Sequence, residues 1–552
     1  MTTLGARKAD KALRVELIFP SPFRFNSREP ITLVELRMHW LLGMVRSKPQ
    51  WWEKVNDPAI VAKWRREIVD EDAKPVEKLW GGEERFNYGR GEKQWPRDPI
   101  TDAQLDYVLD ELKYEASRRD SQTGIYATAI PKVYESRSLI LRDVKAALIS
   151  GVSALESTPE EERDWHPGSN QQVLDLLHPS LYCLRIGQSY IHARNSSSGD
   201  PLRVQTEEEY LDNRPDLNFF LNYQPFAVSS KYQWLPTDFA VSAEGEVKPL
   251  GYINNIHPIH HHELDLHIPS ILSRFTPLFE HVLSEVLSPE PPIAVNVNPY
   301  LWYQHLEEPD SNEDGSCTEK WIEFPLRGRT LQVIVKLANI VLTPEKPRYP
   351  GGSWHVEGMA NEEIVATGLY YYASSNITES RLAFRTVVGH PNVSDMKHQH
   401  GDVQGFYTAY GFARYDGMNQ ALGHLIAEED KCIAFPNVYQ HRVDGFELTD
   451  PSKPGHRKTL CFSLVDPTAR IHSTSDVPPK QEDWMTDEVM NLPALQKLPV
   501  ELSSMVMNMA KLGTIGRKQA ERIREELMGE RGKFRAKHSQ AVFELEFRMC
   551  EH

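Results

Sequence analysis

Cysteine is scarce in this chain. Five residues, Cys183, Cys317, Cys432, Cys461 and Cys550, are scattered over 552 positions without CxxC spacing. An odd, dispersed set excludes a disulfide scaffold and a thiolate zinc site, and fits a reducing compartment. Long apolar runs are missing too. Nothing approaches the ~18 uninterrupted apolar residues of a membrane span. The longest strand-like run, Leu331 to Leu342, is broken by Lys336 and Asn339. Arg7, Lys8, Lys11 and Arg14 are followed by no apolar segment, so no secretory signal is expected. Cys550 stands third from the end, one place off a prenylation box. The expected location is therefore cytoplasmic. Basic residues are outnumbered, 62 Lys plus Arg against 78 Asp plus Glu, for a net charge of −16. That balance argues against nucleic acid or an anionic membrane as partner. With 31 Gly and 38 Pro the chain is neither collagen-like nor of low complexity, and it contains no internal repeat.

What is present falls into three textures. Residues 1–325 are mixed and helix-rich. Apolar residues at three- and four-residue spacing predict helices over Ile31 to Val45, Trp51 to Val69, Thr101 to Arg118, Ser138 to Ser153 and His267 to Leu287, with a further start at Thr158. The acidic stretch Asp310 to Ser316 reads as a boundary loop. Residues 326–470 change period. Leu331 to Leu342, Ile364 to Tyr372, Arg381 to Val388, Lys431 to Pro436 and Lys458 to Val465 read as strands between Gly, Pro, Asn and Asp turns. Short strands of this kind suggest a sandwich, barrel or jelly roll. Residues 471–552 return to helix. Ile515 to Met528, charged with both signs, reads as a solvated helix face.

The chemistry sits in the strand-rich part. In Trp354-His355-Val356-Glu357-Gly358, positions i and i+2 of an extended chain point the same way. His355 and Glu357 can thus aim an imidazole and a carboxylate at one point. A third ligand, His441, follows the strand ending at Pro436. Two His and one carboxylate form the facial triad of non-haem Fe(II) oxygenases, which leaves positions open for co-substrate and O2. Alone, H-x-E is weak and also fits a surface strand. Arg457, sixteen residues past His441, and Thr459 share one face at the start of a strand. The rigid guanidinium fork and an adjacent hydroxyl suit the distal carboxylate of 2-oxoglutarate.

The order of these features resembles the Fe(II)/2-oxoglutarate-dependent dioxygenases, in which an H-x-D/E pair, a distal His and an Arg-x-Ser/Thr follow one another from strand to strand. More narrowly, the chain resembles a fungal family catalogued as a domain of unknown function. The stretches that carry this are WWEKVNDPAIVAKWRREI from Trp51, DWHPGSNQQVLDLLHPSL from Asp164, YQWLPTDF from Tyr232, GYINNIHP from Gly251 and GGSWHVEGMANEEIVATGLYYYASSNITESRLAFR from Gly351. The resemblance implies an α+β chain whose double-stranded β-helix (jelly-roll, cupin-like) core at 326–470 is covered by the helical N-terminal region, which shapes the substrate pocket, and followed by a C-terminal helical segment at 471–552. It implies Fe(II) on His355, Glu357 and His441, with 2-oxoglutarate and O2 as co-substrates, and oxidation of an unactivated C–H bond giving succinate and CO2. The outcome is hydroxylation, desaturation or ring closure of a small molecule, an amino acid or natural-product intermediate. Arg457 and Thr459 would hold 2-oxoglutarate, and a Tyr at the place of Tyr370 can bond to it. Asn339, polar on a strand, is either paired in the core or a contact of the co-substrate or substrate. Glu357 stands where Asp is commoner; its carboxylate disfavours a halogenase, and Arg457 disfavours the histone-demethylase-like branch.

Rival readings exist for several residues. His400 and Asp402 form a second H-x-acid pair, in a loop-like context. The tract His257, His260, His261, His262 and His267 either binds metal or caps a helix start after Pro258. Asp164-Trp165-His166-Pro167-Gly168 reads as a structural turn. Other function classes are a non-enzymatic jelly-roll scaffold and a zinc hydrolase on the same triad. Neither gives Arg457 and Thr459 a role.

Overall fold

The computed structural model describes residues 19–23, 30–72, 99–192, 202–212, 227–289, 321–389, 410–411, 415–494, 497–511 and 513–546. The predicted boundary loop at Asp310 to Ser316 and the pair His400 and Asp402 lie outside them.

Helices α1 (Leu33–Arg46), α2 (Pro58–Asp72), α3 (Asp102–Arg118), α4 (Arg142–Glu156) and α5 (His262–Leu287) fall close to where periodicity predicts them. Their starts are chemically marked. Thr32 Oγ1 accepts the Glu35 N–H of α1, and Thr101 with Gln104 forms a reciprocal capping box on α3. The single helix expected over Trp51 to Val69 is broken. A short turn at Trp51–Lys54 ends, Asp57 Oδ1 accepts the Ala59 N–H at 2.8 Å, and Pro58 starts α2. Proline in the first turn loses no intrahelical bond, so Asp-Pro restarts the helix instead of continuing it. Thr158 leads only into a three-residue 3-10 turn, Glu160–Glu162.

The strands that position the site make two antiparallel sheets, beside three small two-stranded ones. In chain order they are β1 (Tyr126–Ala127), β2 (Tyr134–Ser136), β3 (Val173–Leu177), β4 (Thr237–Val241), β5 (Val247–Pro249), β6 (Thr330–Leu342), β7 (Ile364–Ser375), β8 (Arg381–Val387), β9 (Asn419–Ile426), β10 (Cys432–Pro436), β11 (Gln440–Val443) and β12 (Gly455–Val465). The nine-stranded sheet runs β1-β2-β10-β7-β12-β6-β4-β5, with β3 also on β6. The small sheet runs β9-β8-β11. Strands from before residue 326 therefore extend the large sheet on both sides, and the sheet does not begin at that boundary.

Alternation along the three long central strands gives the large sheet two different faces. Leu331, Val333, Val335 and Leu337 of β6, Tyr370 and Tyr372 of β7, and Leu460, Phe462 and Leu464 of β12 pack with Ile268, Ile271, Phe275 and Phe279 of α5. A Cβ on Gly368 would lie 2.8 Å from the Phe275 ring, so the close approach of α5 requires glycine there. On the opposite face Leu369, Tyr371, Ile433 and Phe435 meet Leu382, Phe384 and Val443 of the small sheet. Each fully buried side chain of this kind contributes roughly 1.5–3 kcal/mol. No helix among the described residues is long and apolar enough to cross a membrane.

The charged C-terminal helix α6 (Arg517–His538) is not merely solvated. Ile523 and Leu527 pack with Trp234, Ile334 and Ile364. Arg531 stacks 3.8 Å over the Trp234 ring and pairs with Glu362 at 2.7 Å. Glu362 is fully buried and also accepts the N–H groups of Trp234 and Met359. Like-sized charges of both signs in the sequence hid an inward stripe of buried ion pairs. Glu362→Gln leaves the Arg531 charge buried and uncompensated, which should cost about 3–5 kcal/mol. Urea unfolding at unchanged slope is the measurement, and an unshifted midpoint would contradict this account.

Candidate metal centre

His355, Glu357 and His441 come together although 86 residues separate the first from the last. Backbone pairing does this. His355 N–H donates to the His441 carbonyl at 3.2 Å, and His441 N–H returns to the His355 carbonyl at 3.0 Å. This isolated antiparallel bridge joins the segment before β7 to β11 and sets both imidazoles over Glu357. His355 Nε2 lies 3.7 Å and His441 Nε2 3.5 Å from Glu357 Oε1. His355 Nδ1 bonds to the Ser353 carbonyl at 2.8 Å, which leaves Nε2 with the lone pair. Phe435 packs edge-on against His441, with ring centroids 4.8 Å apart.

Asn437 holds the carboxylate's backbone. Its Oδ1 accepts the Glu357 N–H at 2.8 Å, and its Nδ2 donates to the carbonyls of Glu357 and Ile364 at 3.0 Å each. Gly358 turns the chain at φ +71°, where a Cβ would meet Ile364 at 2.8 Å. Below the loop, Val356 and Met359 pack on Phe534, Val542 and Phe543. Trp354 is flanked by the guanidinium groups of Arg385 and Arg442 at 4.9 and 4.6 Å.

The electrostatics suit a cation. Burial opposes ionisation of Glu357, but the His355 and His441 imidazoles outweigh it and hold the carboxyl well below its usual range. Burial and the neighbouring His355 lower His441, which favours the form that can ligate a metal. The three ligand atoms stand somewhat wider than the ~3 Å edges expected from metal bonds of about 2.1 Å. A small contraction would close them on an ion and leave the other side open.

Arg457 and Thr459 lie on the small-sheet side of β12, the face they share with Cys461 and Ser463. Arg457 is buried, donates from Nη1 to Ser380 Oγ at 2.7 Å and has no partner at Nε. Its guanidinium lies over the rings of Tyr371 and Phe446 at 5.3 and 5.7 Å. Among the described residues no carboxylate pairs with it. Burial lowers its pKa.

Two expected contacts lie on the other face. Asn339 follows Val335 and Leu337 onto the helix side, where it donates to Glu156 at 2.6 Å and accepts from Tyr372 at 3.3 Å. Tyr370 packs with α5. The tyrosine beside Arg457 is its neighbour Tyr371; among the described residues the buried hydroxyls of both Tyr370 and Tyr371 lack a hydrogen-bond partner. The histidine tract forms the turn before α5, whose N-cap His261 makes no side-chain capping bond. His257 Nδ1 accepts the N–H groups of Ile259 and His260, and the ring stacks on His260 at 3.9 Å. Asn437 carried no sequence signal beyond being polar after a strand.

A second group escaped the sequence reading. His166, Asp175 and His178 bring ligand atoms within 4.8 Å of one another. Burial pushes the His178 imidazole down to about 3.

Asn437→Ala should leave a buried N–H and two carbonyls unpaired, at about 1–3 kcal/mol each. Metal affinity at the His355 site should fall ~10–100-fold, as for other groups that orient ligands. Anaerobic metal titration of the variant reads this, and an unchanged affinity would remove Asn437 from the site.

Ten solved chains show detectable similarity. An IDO from Bacillus thuringiensis is 10% identical, with TM-score 0.16, and the match covers 25% of this chain and 46% of that one. The Fe(II)/(alpha)ketoglutarate-dependent dioxygenase TqaL is 9% identical, with TM-score 0.24, 62% of this chain and 96% of that one. A bsmA homolog from Methylobium petroleophilum PM1 is 8% identical, with TM-score 0.22, 58% and 85%. No curated protein matches. Residues 4–67 match the family described as "Domain of unknown function DUF4246, N-terminal". Residues 102–488 match the one described as "Protein of unknown function (DUF4246)", and with most of its length matched the chain belongs to that family.

Proposed function

We propose that this chain is an Fe(II)/2-oxoglutarate-dependent oxygenase acting on a small molecule, with the two facing sheets serving as a double-stranded β-helix core. The observation that carries the reading is the convergence of two imidazoles on one carboxylate, with His–Glu ligand atoms 3.5–3.7 Å apart. A buried arginine without an acid partner on the adjoining sheet face supports it. A zinc hydrolase or a scaffold accounts for the first feature alone.

His355, Glu357 and His441 would hold Fe(II), a suitable donor set with open positions on one side. With 2-oxoglutarate and O2, the iron supplies an oxidant for an unactivated C–H bond, with succinate and CO2 as co-products. Every other task falls to this chain. Arg457 offers a fork of N–H donors to the distal carboxylate of 2-oxoglutarate, and Tyr371 adds a hydroxyl donor. Thr459, two residues on, supports the same end. Phe384 and Phe435 wall the site beside His441 and keep water from it. The apolar wall raises the worth of the Arg457 charge, because a charge pair in a dry site is poorly screened. The chain's net charge of −16 supports a small-molecule substrate over nucleic acid or a membrane.

Arg457→Ala should keep its metal yet lose about 2–5 kcal/mol of 2-oxoglutarate binding. That is ~30- to several-thousand-fold in apparent affinity. Arg457→Lys should recover only part, since an ammonium lacks the fork. An unchanged 2-oxoglutarate dependence with metal bound would end the assignment.

The two tyrosines give an internal control. Tyr371→Phe should weaken 2-oxoglutarate about tenfold or more, the value of a hydrogen bond to a charged group. Tyr370→Phe should leave it unchanged. Calorimetric titration of both variants distinguishes the faces of β7, and the opposite ranking would reverse the face assignment.

A further inference from the structure

We infer that His166, Asp175 and His178 form a second divalent-cation site, separate from the His355 centre and independent of the activity proposed for it. The three residues come from one hairpin. His166 N–H donates to the Val173 carbonyl at 2.8 Å, and Asp175 N–H to the Asp164 carbonyl at 2.9 Å. This pairing, turned at Gly168, sets His166 beside Asp175. His178 follows the end of β3 and is fixed from its carbonyl by Leu181 N–H and Asn255 Nδ2. The rings of His166 and His178 stand 5.4 Å apart.

The carboxylate is the reason to expect a cation. The Asp175 side chain is 0% exposed. Its Oδ2 meets His166 Nδ1 at 2.8 Å, and its Oδ1 has no hydrogen-bond partner among the described residues. A buried carboxylate ordinarily takes an arginine, a lysine or a metal. Among the described residues neither base makes an ion pair with it; Lys336 is near enough to favour its charge but forms no contact. The nearby Arg517 and Arg524 are engaged by Asp164 instead. Two imidazoles and one carboxylate are a donor set for first-row divalent ions, zinc, cobalt, nickel or iron. His166 is 28% exposed, which gives an ion a way in. His178 Nδ1 accepts the Ser180 N–H at 3.2 Å, so ligation through that nitrogen exchanges a long hydrogen bond for a metal bond.

The register separates this site from the first. Asp175 lies opposite Ala338 of β6, and Ala338 opposite Thr459 of β12. Two strand spacings of ~4.8 Å put Asp175 about 10 Å from β12 across the sheet. An ion there would tie the His166 limb of the hairpin to β3 and to His178 beyond it.

The test is zinc stoichiometry on the full-length, chelator-stripped chain, by equilibrium dialysis at micromolar free Zn(II) with elemental analysis. Wild type should bind two equivalents. A Glu357→Gln, His441→Ala chain should bind one, and addition of His166→Ala should leave none. Asp175→Asn in the wild-type background should bind one. His166 is partly exposed, so its alanine variant decides the question if Asp175→Asn does not fold. Circular dichroism of the stripped forms checks folding. A Glu357→Gln, His441→Ala chain that binds no zinc, or one that keeps its equivalent after His166→Ala, would overturn the proposal and leave the His355 centre untouched. Loss of the only equivalent in His166→Ala with the His355 site intact would overturn that centre and leave this one.

Discussion

The reciprocal backbone hydrogen bonds between His355 and His441 are the constraint on which the site depends. Neither residue is held by its side chain alone. The bridge fixes the distance between two segments that are remote in sequence, and Glu357 then enters by strand alternation, two residues after His355. Asn437 and Gly358 keep that short segment from slipping, one by satisfying its amides and the other by turning it. The C-terminal helix closes the arrangement from below, where Arg531 and Glu362 pair beside Trp234. The chain thus spends its last elements on bracing a loop that its middle elements create.

Partition of the large sheet into two faces explains most of the remaining chemistry. One face is a continuous apolar surface for α5, and it admits polar groups only as local pairs such as Asn339 with Glu156. The other carries Arg457, Thr459, Cys461 and Ser463 on β12, with Lys336 across from Cys461 and Asp175 opposite Ala338. A charge on this face is partly desolvated, so it is costly without a partner and strong with one. Arg457 is buried with one hydroxyl partner and no carboxylate among the described residues, which is the ground for proposing an anion there. Asp175, buried with a free carboxylate oxygen, is poised for a cation.

The sequence revealed the long elements and the residues of the triad because period, caps and the i, i+2 rule act locally. The shared strand face of Arg457 and Thr459 was legible for the same reason. Asn339 was legible in principle: Leu331, Val333, Val335 and Leu337 share its parity, whereas Gln332 and Lys336 have the other, so it belongs with the helix-facing set. Tyr370, Tyr371 and Tyr372 were not, because a strand buried on both faces is apolar throughout and parity carries no signal. The inward stripe of α6 was masked by buried Arg524 and Arg531, which look like solvent-facing charges until their partners Asp164 and Glu362 are known. Asn437 and the His166 cluster depend on contacts between distant segments or on burial, which no local pattern encodes.

The central claim is that the His355 centre holds Fe(II) together with 2-oxoglutarate. Anaerobic titration of the iron-loaded chain with 2-oxoglutarate tests it most directly, because a weak visible charge-transfer band arises only when the keto acid chelates the metal. The account predicts a saturable band in the wild-type chain, absent from the Glu357→Ala variant that no longer holds iron. Iron bound without any such band at saturating 2-oxoglutarate would contradict it.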